Sequence, residues 1–167
     1  GVERHFPEAY LWFSQAAAGG NREAEGYRND LLSEMSTEEL MAVQRLNGAK
    51  GSLEDQYKVG LAFARGQGAQ KDLARAAEWF RMAADKGHPE AQYRLALAHG
   101  EGAGVEKSPA QALGWFRKAA EQGHVKAQFE LGVAYERGAG TEPDANQAAD
   151  WHRKAAAQGV VDSQVNL

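Results

Sequence analysis

The sequence contains no cysteine, which excludes disulfides, thiolate catalysis and cysteine-zinc sites. That absence fits a reducing compartment. No apolar run approaches the ~18 residues of a membrane-spanning helix. Charge of neither sign dominates: 19 Lys and Arg stand against 23 Asp and Glu, for a net charge of −4. Divided at residue 50, the first part carries 8 acids and 5 bases, the rest 15 and 14, so neither part is a basic patch in composition. With 25% charged residues and a full complement of aromatics, the composition is not that of a disordered chain. At 167 residues it is long enough for a domain of ordinary size with its own core. The chain starts at Gly1 instead of methionine, the mark of a processing or cloning boundary, beyond which any signal peptide would lie.

What the sequence does have is repetition. AAEWFRMAADKGH (76–88), ALGWFRKAAEQGH (112–124) and AADWHRKAAAQGV (148–160) share a tryptophan, paired alanines and a glycine at fixed distance. Trp79, Trp115 and Trp151 are 36 residues apart, and so are Gly87, Gly123 and Gly159. The same period relates Gln56, Gln92, Gln128 and Gln164, and also Gly66, Gly102 and Gly138, each followed two residues later by Gly68, Gly104 or Gly140. Unit 54–89 matches unit 90–125 at 17 of 36 positions, and that unit matches 126–161 at 18. A helical pattern at this period predicts an all-α chain of stacked helix pairs, with no room for strands.

Each unit holds two predicted helices. In the second, Ala112, Trp115, Phe116, Ala119 and Ala120 fall at i, i+3, i+4, i+7 and i+8, one apolar stripe. Gly123 stands where a left-handed residue ends a helix. In the first, Ala91, Leu95, Ala98 and Gly102 run at i, i+4, i+7 and i+11, and the GxG that follows lets the chain reverse. One unit alone leaves part of each helix uncovered, so its neighbours must cover it.

AQFELGVAYERGAG (127–140) followed by AADWHRKAAAQG (148–159) resembles the pattern of Sel1-like repeats, relatives of the tetratricopeptide repeat. The resemblance covers 54–161 and implies an α/α superhelical solenoid. Departures are Asp55 for the leading Ala, Ala96 for the Gly, His99 for the Tyr and Thr141 for the Val; Asp55 and His99 place polar groups where core is expected. The domain organisation expected is a degenerate stretch at 1–50, then at 51–167 three repeats (54–89, 90–125, 126–161) and the start of a further helix. FPEAYLWFSQAAAGGN (6–21) aligns with a second helix, with Trp12, Ala16, Ala17 and Gly20 in the repeat positions. Ser36 and Glu39 form a capping box that starts a helix near Thr37. YRNDLLSEMSTEELMAVQRL is similar to the variant pair that closes bacterial Sel1-like arrays. NGAKGS (47–52) is then a junction between two short arrays, a rigid turn or a hinge. VVDSQVNL at the end aligns its last seven residues with VKAQFEL (125–131), and the chain opens in the middle of a unit, as expected for part of a longer array.

Catalytic patterns find little support. GEGAG (100–104) follows a helix, lacks a GK[ST] ending and recurs as turn glycines in each unit, so it is not a phosphate loop. His5, His88, His99, His124 and His152 show no chelating spacing, and His88 and His124 occupy one repeat position in a loop. No serine stands in a GxSxG elbow. The expectation is therefore a non-enzyme without cofactor, metal or nucleic-acid partner.

What the resemblance implies is binding of a protein or peptide on the concave face, which the first helix of each pair lines. Transferring the tetratricopeptide frame places Tyr57, Leu61 and Arg65 there in the first complete unit. Tyr93, Leu97 and Glu101, then Phe129, Val133 and Arg137, are the equivalents. Aromatics and arginines are what interfaces use at their energetic centres. The alternative is that these side chains pack against the next unit's first helix. Gln56, Gln92 and Gln128 are expected to bond loop carbonyls of the adjacent unit. The resemblance also places such proteins in bacterial envelopes, signalling assemblies and secretion systems. Alternatives are a periplasmic immunity or inhibitor protein that blocks a partner enzyme, and a purely structural spacer.

Overall fold

The computed structural model describes residues 6–47, 52–66 and 70–158. The junction glycine and lysine at 48–51, Gly68, His5, Gly159 and the C-terminal segment aligned with 125–131 lie outside them. Every regular element among the described residues is an α-helix. They are α1 (Phe6–Ala18), α2 (Arg22–Glu34), α3 (Thr37–Asn47), α4 (Leu53–Arg65), α5 (Leu73–Asp85), α6 (Pro89–Glu101), α7 (Pro109–Glu121), α8 (Val125–Arg137) and α9 (Ala145–Ala157). The chain falls into two compact units, Gly1–Met82 and Ala83–Leu167.

Local chemistry sets the helix boundaries. Side chains of Asn21, Ser52, Ser108 and Asp144 accept backbone N–H groups at the starts of α2, α4, α7 and α9. His88 and His124 do the same through Nδ1, bonding Ala91 N at 3.2 Å and Ala127 N at 3.1 Å. The loop role expected for these two histidines is thus a helix cap, which satisfies an otherwise orphaned donor. The capping box at α3 is present: Glu39 accepts from Ser36 N at 2.8 Å, and Glu39 N donates to Ser36 Oγ at 3.3 Å. At the far ends, Gly123 has φ +85° just beyond α7, the left-handed stop expected of it. Gly140 has a second constraint besides its φ of +82°: a Cβ there would collide with the Pro109 carbonyl at the start of α7. That glycine lets one repeat close against the one before.

In the first unit, α1 packs on α2 and α3, and α2 meets α4. Its core gathers Tyr10, Met35, Leu40 and Val43 with Val59, Phe63, Trp79 and Phe80. Asp55, the polar departure in the repeat, is buried and holds the unit's charged centre. Arg28 Nη1 donates to Asp55 Oδ1 at 3.3 Å, and Tyr10 Oη donates to the same oxygen at 3.4 Å. Ser52 Oγ holds the other carboxylate oxygen. Burial, with the Asp55 charge beside it, pushes the Tyr10 phenol far above its ordinary value. This network ties α1 and α2 to α4 across the 47–52 junction.

Trp12 departs from the repeat. Trp79, Trp115 and Trp151 are at most 9% exposed, whereas Trp12 is 78% exposed although it sits in the same register. Each buried tryptophan belongs to a second helix that follows a first helix of its own pair. Among the described residues α1 has no helix before it, so nothing covers its indole.

In the second unit, α7 packs against both α6 and α8, and α9 against α8. Leu95, Leu113, Trp115, Phe116, Leu131, Tyr135 and Trp151 fill the core, with alanines wherever helix backbones approach. The Lys118 ammonium lies 4.0 Å from the Trp115 ring centroid and Lys154 lies 3.8 Å from that of Trp151, capping each indole's outer face. His99 is buried without becoming an orphan: its Nδ1 lies 3.2 Å from the Glu106 carbonyl, to which it donates. Gln92 and Gln128 bond between successive repeats, with one correction. Gln92 Nε2 donates to Ala84 O and Gln128 Nε2 to Ala120 O, both at 3.1 Å, and these carbonyls belong to the last turn of the preceding helix, not to a loop. Each carbonyl also accepts from the turn glycine three residues on, Gly87 N or Gly123 N at 3.0 Å, so the amide takes its second lone pair. Gln122 and Gln158 then donate to Gln92 and Gln128, extending the chain of amides.

Candidate partner-binding surface

The nine side chains singled out from the sequence lie on the first helices, at i, i+4 and i+8 of α4, α6 and α8. That spacing keeps each trio on one helix face. The aromatics are half-buried, and their inner sides rest on the second helix of the same pair. Tyr57 tilts against Phe80 with ring centroids 5.9 Å apart, Tyr93 against Phe116 at 5.9 Å, and Phe129 against His152 at 5.3 Å. Tyr93 also stacks on His124, the cap of the next first helix, at 4.8 Å. Each ring thus rests on the second helix of its own pair, and Tyr93 touches the start of the next first helix as well. The small residue one turn away makes this possible: a Cβ at Gly60 would stand 2.7 Å from the Phe80 ring, and one at Gly132 equally close to the His152 ring. Ala96 occupies that position in the middle unit and is fully buried.

Leu61, Leu97 and Val133 are half-buried, while Arg65, Glu101 and Arg137 are exposed. In the second unit the structure opens a cavity of about 320 Å³ between the C-terminal ends of α6 and α8, above the first half of α7. Val133 and Arg137 line it; Tyr93, Leu97, Glu101 and Phe129 do not. Its floor is Ala112, Leu113 and Phe116, and Gly100, Lys107 and Glu130 form its walls. Gly100, Lys107 and Glu130 were not singled out in the sequence. A signal was present all the same: Glu130 is acidic where Lys58 and Arg94 are basic, and Gly100 is bare where Ala64 and Glu136 carry side chains.

The titratable groups around this face fall into two kinds. Burial raises the Glu130 carboxyl above its ordinary value, and Arg137 only partly opposes this. Burial also raises the Tyr93 phenol, with the Glu130 charge adding to it. Glu90 goes the other way. Burial would raise it, but a 2.8 Å bond with His124 Nε2 and the Arg94 guanidinium outweigh that and lower it. Among the described residues no three histidine or carboxylate side chains converge as a metal site, and no helix is long and apolar enough to cross a membrane.

A family model for the Sel1 repeat matches residues 1–21, 53–88, 89–124 and 125–160, leaving 22–52 and 161–167 unmatched. Among solved structures, the chain is similar to a protective antigen present in uropathogenic Escherichia coli strains displaying an SLR fold. That match has a TM-score of 0.72 and 32% identity over 90% of this chain and 33% of the antigen. It is also similar to a Sel1 repeat protein from Oxalobacter formigenes, with a TM-score of 0.66 and 34% identity over 71% of this chain and 49% of that protein. The chain thus spans a third to a half of the length of these two. None of the curated proteins matches it. Sel1 repeats are generally non-catalytic scaffolds for protein–protein interaction. Matched over most of its length by the repeat model, and folded as stacked α/α pairs, the chain belongs to the Sel1 repeat family.

Proposed function

We propose that this chain is a non-catalytic interaction module that seats a peptide or protein segment on the face of its first helices. Residues 1–50 act as a degenerate lead-in, and the three repeats of 51–167 carry the contacts. Tyr57, Tyr93 and Phe129 serve as anchors, Leu61, Leu97 and Val133 add apolar area, and Arg65, Glu101 and Arg137 set register. One observation carries the reading: each of the three rings is rooted on the helix behind it yet leaves part of its surface to solvent. A rigid, half-exposed aromatic loses little conformational entropy on binding, which suits it to an anchor role.

Affinity capture from a bacterial lysate tests it, with wild type against a Tyr57→Ala, Tyr93→Ala, Phe129→Ala triple variant. The triple should lose the captured partner at unchanged helical content by circular dichroism. Truncating Arg81, Arg117 and Arg153 on the second helices should leave capture intact. The reverse pattern sinks the first-helix reading.

A further inference from the structure

The cavity in the second unit bears on what kind of segment binds, and the inference rests on the interaction role proposed above. Its floor of Leu113 and Phe116 is apolar, and Val133 extends the apolar wall. The volume, about 320 Å³, is at the small end of ligand pockets and suits a large side chain instead of a whole molecule. Gly100 keeps it open: a Cβ there would meet only the Ala112 Cβ, at 3.9 Å, so the position accepts a side chain at its root, and a longer one would project over the cavity floor at Ala112.

Glu130 gives the cavity its polarity. It is half-buried and makes no hydrogen bond or salt bridge among the described residues. Lys107 and Arg137, also at the walls, are exposed, and water already satisfies them, so pairing gains them little. A carboxylate that has lost part of its hydration gains more from an incoming cation. Arg137, about two turns further along α8, acts on Glu130 through its charge but forms no salt bridge with it, leaving the carboxylate free to pair with that cation.

We propose that the cavity seats a partner segment carrying a large aliphatic or aromatic side chain within one or two residues of a lysine or arginine. The apolar side chain enters beside Gly100 over Phe116, and the cation pairs with Glu130.

Peptide display on the whole chain tests this, followed by titration of one enriched synthetic peptide and its Lys/Arg→Gln analogue. Enriched sequences should place Lys or Arg beside a large apolar residue, and the Gln analogue should bind about tenfold or more weakly, as expected when a charged group loses its partner. Gly100→Leu should weaken binding as much, with a thermal midpoint equal to or above wild type, since leucine favours a helix over glycine. Glu130→Lys should shift selection to acidic peptides. Enrichment of acidic or uncharged peptides on wild type overturns the assignment. So does binding indifferent to Gly100→Leu and Glu130→Lys. If such binding is still lost in the Tyr57, Tyr93, Phe129 triple, the cavity assignment fails while the first-helix reading stands. If no sequence is enriched on folded protein, both fail.

Discussion

Asp55→Asn is the substitution whose cost the structure defines best. Asparagine keeps the shape, and its side-chain oxygen can still meet Ser52 or Tyr10, so packing and helix start change little. What is lost is the charge facing Arg28. The two side chains are 5% and 6% exposed, so the guanidinium would remain out of water with its main counter-ion gone. Breaking one side of a buried pair costs about 3–5 kcal/mol. Arg28 keeps a second carboxylate, Glu25 at 3.6 Å, but that side chain is 55% exposed and its field is screened. The expected loss is therefore near the lower bound, about 3 kcal/mol. Arg28 Nε is already buried without a hydrogen-bond partner, so the pair as built is not optimal. Replacing both residues, Arg28→Met with Asp55→Leu, should consequently cost less than Asp55→Asn alone. Urea unfolding followed by circular dichroism measures both. A single-variant loss below about 1 kcal/mol, the value of an exposed pair, or a double variant worse than the single one, would refute the claim that desolvation dominates this site.

Other expectations follow from burial and backbone geometry. Trp115→Ala should cost about 3–5 kcal/mol as a large core truncation, and Trp12→Ala, at 78% exposure, within about 0.5 kcal/mol; denaturant melts ranking them the other way would contradict the packing described. Gly140→Ala should lower stability by at least the ~1–2 kcal/mol of a left-handed backbone, with contact against Pro109 added, and a melt unchanged from wild type would contradict it. Glu90 has a lowered folded pKa, so its contribution is present above the ordinary carboxylate value and lost as pH falls through the lowered one. Acid titration of Glu90→Gln should accordingly show a shallower loss of stability at the acid end. Glu130 has the opposite sign: its raised pKa adds stability that is full below the ordinary carboxylate value and lost as pH rises through the raised one. Glu130→Gln should thus be at least as stable as wild type at neutral pH, and any gain should shrink on acidification.

Periodicity made the helix pairs legible because each unit repeats the residues that touch its neighbours. Trp115, Ala119, Ala120 and Gly123 do the same job as Trp79, Ala83, Ala84 and Gly87, so the pattern and the packing are one fact seen twice. The pattern is silent where burial depends on what lies next door. Trp12 carries the right letter in the right register, but its burial needed a preceding helix. Asp55 was legible as a polar group at a core position, but its partner was not. Arg28 reads as a surface charge in its own helix, and only the tertiary fold of α1, α2 and α4 makes the two a buried pair. Alignment of the histidines was informative about place, a loop, but silent about the Nδ1 lone pair that makes them caps.

The proposed binding surface was only half legible, and the physics explains which half. A position repeated in every unit is held by the requirement that units stack, and it can recognise only what every unit presents. Selectivity needs asymmetry along the array. On the first helices it lies in Lys58, Arg94 and Glu130 at one position and Ala64, Gly100 and Glu136 at another. The cavity forms where two such differences meet: Gly100 has no side chain to fill it, and Glu130 brings a carboxylate to its wall. The recurring aromatics are the positions common to every repeat, and as proposed anchors they would be the same for any partner. Recognition of one partner over another is expected in the rungs that differ.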